Sequence, residues 1–256
     1  MGNWDNKDKL SVHAKEWNEF ITNNNANDTN NSIENSKIYE PFFKVNDTTK
    51  FMVVQDTSQA AIFKTKFDGK MAVLNFASYK KPGGGYINGA MAQEESLCHC
   101  SNLYNVISNE KFMENYYGYN NEHLNRGLYD SRIIYSPDIV FYNRDHSVSK
   151  YCDVITCAAP NRKVAQQYQK VSDEEINMVM KDRILNVLQV AVVNHVDVLI
   201  LGAFGCGVFG NDIRMTARIF KRCLNEYHYY KNAFKLVVFA IPDTPTYTIF
   251  KEVLES

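Results

Sequence analysis

The sequence predicts a three-layer α/β/α domain. From about Phe51 onward, short runs rich in β-branched and aromatic residues alternate with amphipathic stretches. Several of the runs are apolar throughout, as in strands buried on both faces of a sheet. Two glycine-rich segments directly follow such runs, where an α/β sheet opens its ligand crevice.

Taken in chain order, Trp4, Leu10, Val12, Ala14, Trp17, Phe20 and Ile21 have loosely helical spacing and predict an N-terminal accessory helix. The stretch ITNNNANDTNNSIENSK, residues 21–37, is rich in side chains that compete with the backbone for hydrogen bonds. It reads as a loop or linker, which makes 1–40 an accessory segment and 41–256 the main domain. Removal of residues 1 to about 36 is then expected to leave some of the main domain's function, with lower stability if the accessory helix packs on the core. Strands are expected at 51–54, 71–76, 133–135, 139–142, 154–158, 198–201 and 236–241. Ser172-x-x-Glu175 forms a capping box ahead of a long amphipathic helix. Further helices are expected from Gln93 to about Ile107, from about Asn211, and from Thr244, which reads as an N-cap with Pro245 at the first helical position.

The 256 residues suit one generous domain, and 45% hydrophobic with 22% charged residues is ordinary for a globular protein. A net charge of -1 supplies no global attraction for nucleic acid or an anionic membrane, so a polyanionic partner must be held by a local site. No apolar run approaches the roughly 20 residues that cross a bilayer, and the N-terminus lacks a signal peptide's apolar stretch. None of the six cysteines forms a C-x-x-C pair, so reduced thiols in the cytoplasm, or the nucleus of a eukaryote, are expected.

The chemistry concentrates in the two loops. In the first, PGGGYINGAMAQEESL, three successive glycines mark positive φ or close approach of a ligand. Seven residues later Gln93, Glu94 and Glu95 enter the first turn of a helix, where acids also complement the helix dipole. In the second, LGAFGCGVFGND, four glycines precede a helix; successive N–H groups there make an anion cradle. It holds no Lys or Arg and no G-K-[ST], which excludes an NTPase P-loop, and it lacks the dinucleotide G-x-G-x-x-G pattern. The pattern fits a diphosphate held by neutral backbone groups.

GGG, seven residues and QEE resemble the signature of poly(ADP-ribose) glycohydrolases of the microbial branch, and LGAFGCGVFGND resembles that branch's diphosphate loop. The segments IIYSPDIVFYNRD and DVITCAAPN are similar to the family's in the same order, and the similarity spans roughly residues 40 to 254. The resemblance implies a macrodomain with a mixed sheet. It implies Glu95 as catalytic acid/base and Glu94 as the group that orients the scissile ribose. It also implies substrate contacts from Gly83, Gly84, Gly85, Asn88, Gln93, Gly205, Cys206, Gly207, Val208 and Phe209, the last pressing on the terminal ribose. Phe239 is a weak candidate for adenine contact, and Ser78 stands where many relatives have Asn.

The implied reaction releases ADP-ribose from poly(ADP-ribose) or ADP-ribosylated macromolecules, by a monomer with no cofactor. Hydrolysis of single ADP-ribose units, or ADP-ribose binding without turnover, uses the same residues. Cys98-His99-Cys100 looks like a metal site, but alternate residues on a helix lie about 200° apart, so the two thiols cannot face one ion. Cys206, between glycines, reads as a small packing residue.

Overall fold

The computed structural model describes residues 7–39, 49–227 and 229–256. Trp4 and the boundary between 40 and 41 lie outside the described residues. The elements are α1 (Lys7–Asn24), α2 (Ala26–Asn35), β1 (Lys37–Tyr39), β2 (Lys50–Val54), α3 (Ser58–Lys64) and β3 (Met71–Phe76). After the first glycine loop come α4 (Gln93–Cys98), α5 (Leu103–Ile107), α6 (Glu110–Phe112), a π turn at Met113–Gly118 and α7 (Tyr119–Glu122). Then follow β4 (Ile133–Tyr142), β5 (Ser149–Cys157), α8 (Arg162–Gln169), α9 (Asp173–Val193), β6 (Val198–Leu201), α10 (Ile213–Asn225), β7 (Leu236–Ala240) and α11 (Thr244–Glu255).

Seven strands form one mixed sheet in the order β1-β4-β5-β3-β6-β7-β2. The pairs β1/β4 and β4/β5 are antiparallel, and the remaining four are parallel. Alternation along each strand divides the core. Leu74, Leu199, Leu201, Val237 and Phe239 face α9, α10 and α11. Met71, Val73, Val198, Ile200 and Val238 face the layer built from α1, α3, α4 and α5. The three-layer macrodomain architecture expected from the sequence is the one observed.

Four elements depart from expectation. The Asn-rich stretch is helical, not a loop, for ten residues of α2, which lies against β4. Its polar side chains are consumed by tertiary bonds: Asn25 Oδ1 accepts from Tyr142 Oη at 2.8 Å, and Thr29 Oγ1 accepts from Asn102 Nδ2 at 3.2 Å. Two short strands at 133–135 and 139–142 are one strand with a bulge between Ser136 and Ile139, where Asp138 takes φ +52°. The helix expected from Gln93 to Ile107 breaks after Cys98. Ser101 forms a β-bridge with Phe141 there, and its carbonyl accepts Trp17 Nε1 at 2.9 Å. The last helix is capped one residue earlier than expected, by Asp243, which accepts from Thr246 N; the Ser172 cap accepts from Glu175 N as expected.

Helix α1 shares the core of the main domain. Ala14, Trp17 and Ile21 are buried with Tyr86 and Leu97. Ser11 Oγ donates to Ile87 O at 2.7 Å, and Tyr86 Oη lies 3.1 Å from both Ala14 O and Asn18 Oδ1, tying α1 to the first glycine loop. Dispensability of residues 1–36 therefore gives way to the opposite expectation. The truncated chain should lose the ligand binding that the resemblance implies and melt at a much lower temperature, since truncating a single large core side chain already costs about 2–5 kcal/mol. Calorimetry and thermal unfolding check this; normal affinity in a folded truncated chain would show α1 to be dispensable.

Candidate active site

Strand β3 carries one polar residue in an apolar run, Asn75, and ends at the mouth of a pocket of about 290 Å³. One wall is Phe76, Ala77, Ser78 and Tyr79 with Gly84 and the start of α4; the other is Ala203, Phe204, Gly205, Gly207, Val208 and Phe209. The two loops identified in the sequence thus face each other across a single cavity.

Glu94 and Glu95 are 3% and 8% exposed, well below the exposure of acids that merely complement a helix dipole. Glu94 Oε2 accepts from Ser78 N at 2.7 Å and Oε1 from Asn75 Nδ2 at 3.2 Å. Burial pushes the Glu94 carboxyl up to about 8, opposed by the bonds from Ser78 and Asn75 and reinforced by Glu95. Glu95 Oε1 accepts from Gly85 N at 2.8 Å and Oε2 from Ala92 N at 3.0 Å. The second bond is the return half of a capping box; Ala92, at the N-cap, has no side chain to complete the other half.

The glycines answer to this geometry. Gly84 has φ +54°, and a Cβ on it would stand 2.6 Å from Glu95 Oε1 and 3.1 Å from Glu94 Oε2. No other residue lets the loop arch so closely over both carboxylates. In the second loop, the N–H groups of Phe204, Cys206, Gly210 and Asn211 bond carbonyls within the turn. Those of Gly205, Gly207, Val208 and Phe209 have no acceptor among the described residues, which leaves a row of donors for an anion. No Lys or Arg lines the pocket among the described residues.

Not every expected contact residue reaches the cavity. Gln93 lines it, but its amide is already engaged: Oε1 accepts from Phe76 N at 2.8 Å, and Nε2 donates to Leu74 O at 2.8 Å and Ser58 Oγ at 3.1 Å. It clamps the end of β3. Asn88 is exposed on a 3₁₀ turn, and Gly83 and Gly85 shape the arch behind Gly84. Cys206 points its sulfur at Phe204 O, and burial pushes the thiol up to about 11, so it is a packing residue and not an activated nucleophile. Phe239 is corrected: it is fully buried between Phe220 and Phe250 and lines neither this pocket nor the cavity beside it.

Other residues of the site escaped the sequence reading. Asn75 had a usable signal, because a lone Asn inside an apolar strand must find buried partners. Asn211 Nδ2 bridges Pro160 O and Gly205 O at 2.8 and 2.9 Å, locking the second loop to the end of β5. Tyr79 stacks on Tyr129 at 3.9 Å, and Tyr129 lies 6.2 Å from Phe209. Nothing in the sequence pairs residues fifty positions apart.

A pair of buried carboxylates facing an uncharged anion cradle, at the strand ends of this fold, is the equipment of a macrodomain-type glycohydrolase. The chain belongs to the family described as microbial-type PARG, catalytic domain, whose model matches residues 13–144. That match begins inside α1. Among solved structures, the poly(ADP-ribose) glycohydrolase of Thermomonospora curvata is 28% identical, with a TM-score of 0.84 over 96% of this chain and 99% of that one. A second structure of that enzyme holds the inhibitor ADP-HPD. The Deinococcus radiodurans poly(ADP-ribose) glycohydrolase, in complex with ADP-ribose, is 30% identical, with a TM-score of 0.80 over 89% of this chain and 96% of that one. No curated protein matches the chain. The protein is a glycohydrolase of the PARG type.

Proposed function

We propose that this pocket releases ADP-ribose from poly(ADP-ribose) by a single-carboxylate mechanism, with Glu95 as acid and then base. The observation that carries the reading is the side-by-side burial of Glu94 and Glu95 beneath Gly84, opposite the free N–H row of the second loop. In this reading the diphosphate lies on the N–H groups of Gly205, Gly207 and Val208. Phe209 presses the ribose towards α4, and Glu94 binds a ribose hydroxyl. As the glycosidic C–O bond breaks, Glu95 gives its proton to the leaving oxygen and positive charge develops on the ribose. Water then bonds to the anomeric carbon and returns a proton to Glu95. The anionic diphosphate nearby stabilises the cation, so no protein nucleophile is needed.

The reading takes the enzyme to act as a cytoplasmic monomer. All six cysteines are free thiols, as a reducing compartment keeps them. No helix among the described residues is long and apolar enough to cross a membrane. Incubation with purified polymer should release ADP-ribose, resolved by chromatography. Release from mono-modified proteins with the polymer untouched would replace it with a single-unit hydrolase.

Phe209 lines the pocket while packing partly against the main core. Phe209→Ala should lower kcat more than ADP-ribose affinity, because misplaced ribose loses near-attack geometry. Normal turnover per folded molecule, with a melting temperature lowered by a core truncation of about 3–5 kcal/mol, would assign Phe209 to packing alone.

A further inference from the structure

The pocket has no cation in its lining among the described residues, yet lysines flank residues on both of its walls. Lys80 and Lys81 follow Tyr79, and their N–H groups donate to Ser78 Oγ at 3.1 and 3.4 Å. Ser78 N in turn holds Glu94 Oε2, and Lys81 O accepts from Gly84 N. Both lysines are therefore anchored at the carboxylate end of the cavity. Across the mouth, Lys163 N donates to Phe209 O at 3.1 Å, and its stem fills the space beside Gly210, with Cε 2.8 Å from where a Cβ would stand. Lys80, Lys81 and Lys163 are exposed, and none pairs with an acid among the described residues.

Lys80 and Lys81, beside the Ser78–Glu94 contact, and Lys163, beside Phe209 on the facing loop, thus rim the place of the proposed cleavage. A polymer cut there has its next unit leaving past that rim, and each unit carries an anionic diphosphate.

We infer that Lys80, Lys81 and Lys163 form a docking rim for the diphosphate of the polymer unit beyond the one in the pocket, an inference that rests on the proposed polymer cleavage. Exposed lysines bind phosphate as mobile point charges, so the contact adds salt-sensitive affinity without fixing the scissile bond.

The test compares Lys80→Ala/Lys81→Ala/Lys163→Ala with its parent, both carrying Glu95→Gln to block turnover, in binding purified poly(ADP-ribose) across a potassium chloride series. Polymer affinity should fall about 10-fold or more at low salt, with the log–log salt slope shallower by roughly 0.7 per lost phosphate contact. ADP-ribose affinity should be unchanged. Equal polymer affinity and slope in the two proteins overturns the inference. So does a parallel loss of ADP-ribose affinity, which would put the lysines inside the pocket's own binding, or an equal loss of binding to single-stranded RNA, which would make the rim a general polyanion surface. Polymer cleavage by the otherwise wild-type enzyme is measured alongside. Its absence would sink the proposed function while the binding series still decides the rim.

Discussion

Glu95→Gln should bind ADP-ribose and fail to cleave polymer, with turnover down at least the roughly 10²–10⁴-fold that a positioned acid/base contributes. The side chain keeps its length but loses its transferable proton and one of its two acceptor oxygens. One local effect sets the controls. Glu95 accepts from Gly85 N at 2.8 Å and from Ala92 N at 3.0 Å, and an amide can accept only with its oxygen. One of those N–H groups will face an NH₂, at a cost of about 1–3 kcal/mol for an unmet buried donor. Some loss of stability is thus expected in either account, and a melting temperature alone decides nothing. Titration calorimetry with ADP-ribose decides whether the arch over the carboxylates survives. Retained affinity with lost cleavage assigns the proton transfers to Glu95. Near-normal cleavage would leave Glu95 as a loop strut and remove the mechanism.

The sheet was legible because burial on both faces leaves a plain mark: runs such as MAVLNF and VLIL have no solvent side to encode. The runs at 71–76 and 198–201 were placed at their observed limits for that reason. Where tertiary bonds override local preference, the sequence misled. Residues 26–35 have poor helix formers at most positions, but Ser32 is buried against β4 and its Oγ donates to Asp138 O. Pro137 and Asp138 interrupt the apolar pattern of β4 without ending the strand, since a bulge absorbs them. In the site, glycines and acids announced themselves through what their chemistry costs: left-handed backbone and buried charge. The aromatic contact of Tyr79 with Tyr129 and the seat of α1 on Tyr86 carry no such signature, because any buried tyrosine reads alike in sequence.

Glu94→Gln should separate function from stability in the opposite sense. Burial holds the Glu94 carboxyl up at about 8, against 4.5 for an unperturbed glutamate. Between those values the folded protein keeps a proton that the unfolded chain has released, so the stability falls as pH rises through the window and the full penalty stands above pH 8. A glutamine is neutral throughout and escapes that fall. Its advantage should be small around pH 5 and grow by on the order of 1–4 kcal/mol by pH 8–9, after allowance for weaker bonds from Ser78 and Asn75. For a chain of this size that is a melting-temperature gain of several degrees. Turnover should move the other way, falling by roughly 10–100-fold as the ribose loses an oriented partner, less than for Glu95→Gln. Thermal unfolding of both proteins from pH 5 to pH 9, with polymer cleavage at each pH, reads out the two effects together. Stability curves that stay parallel across that range would mean that Glu94 is not held protonated by burial. A gain in stability with unchanged turnover would mean that the strain is real and serves no catalytic purpose. Divergent curves with reduced turnover place Glu94 among groups whose unfavourable burial is maintained by what they do for the substrate.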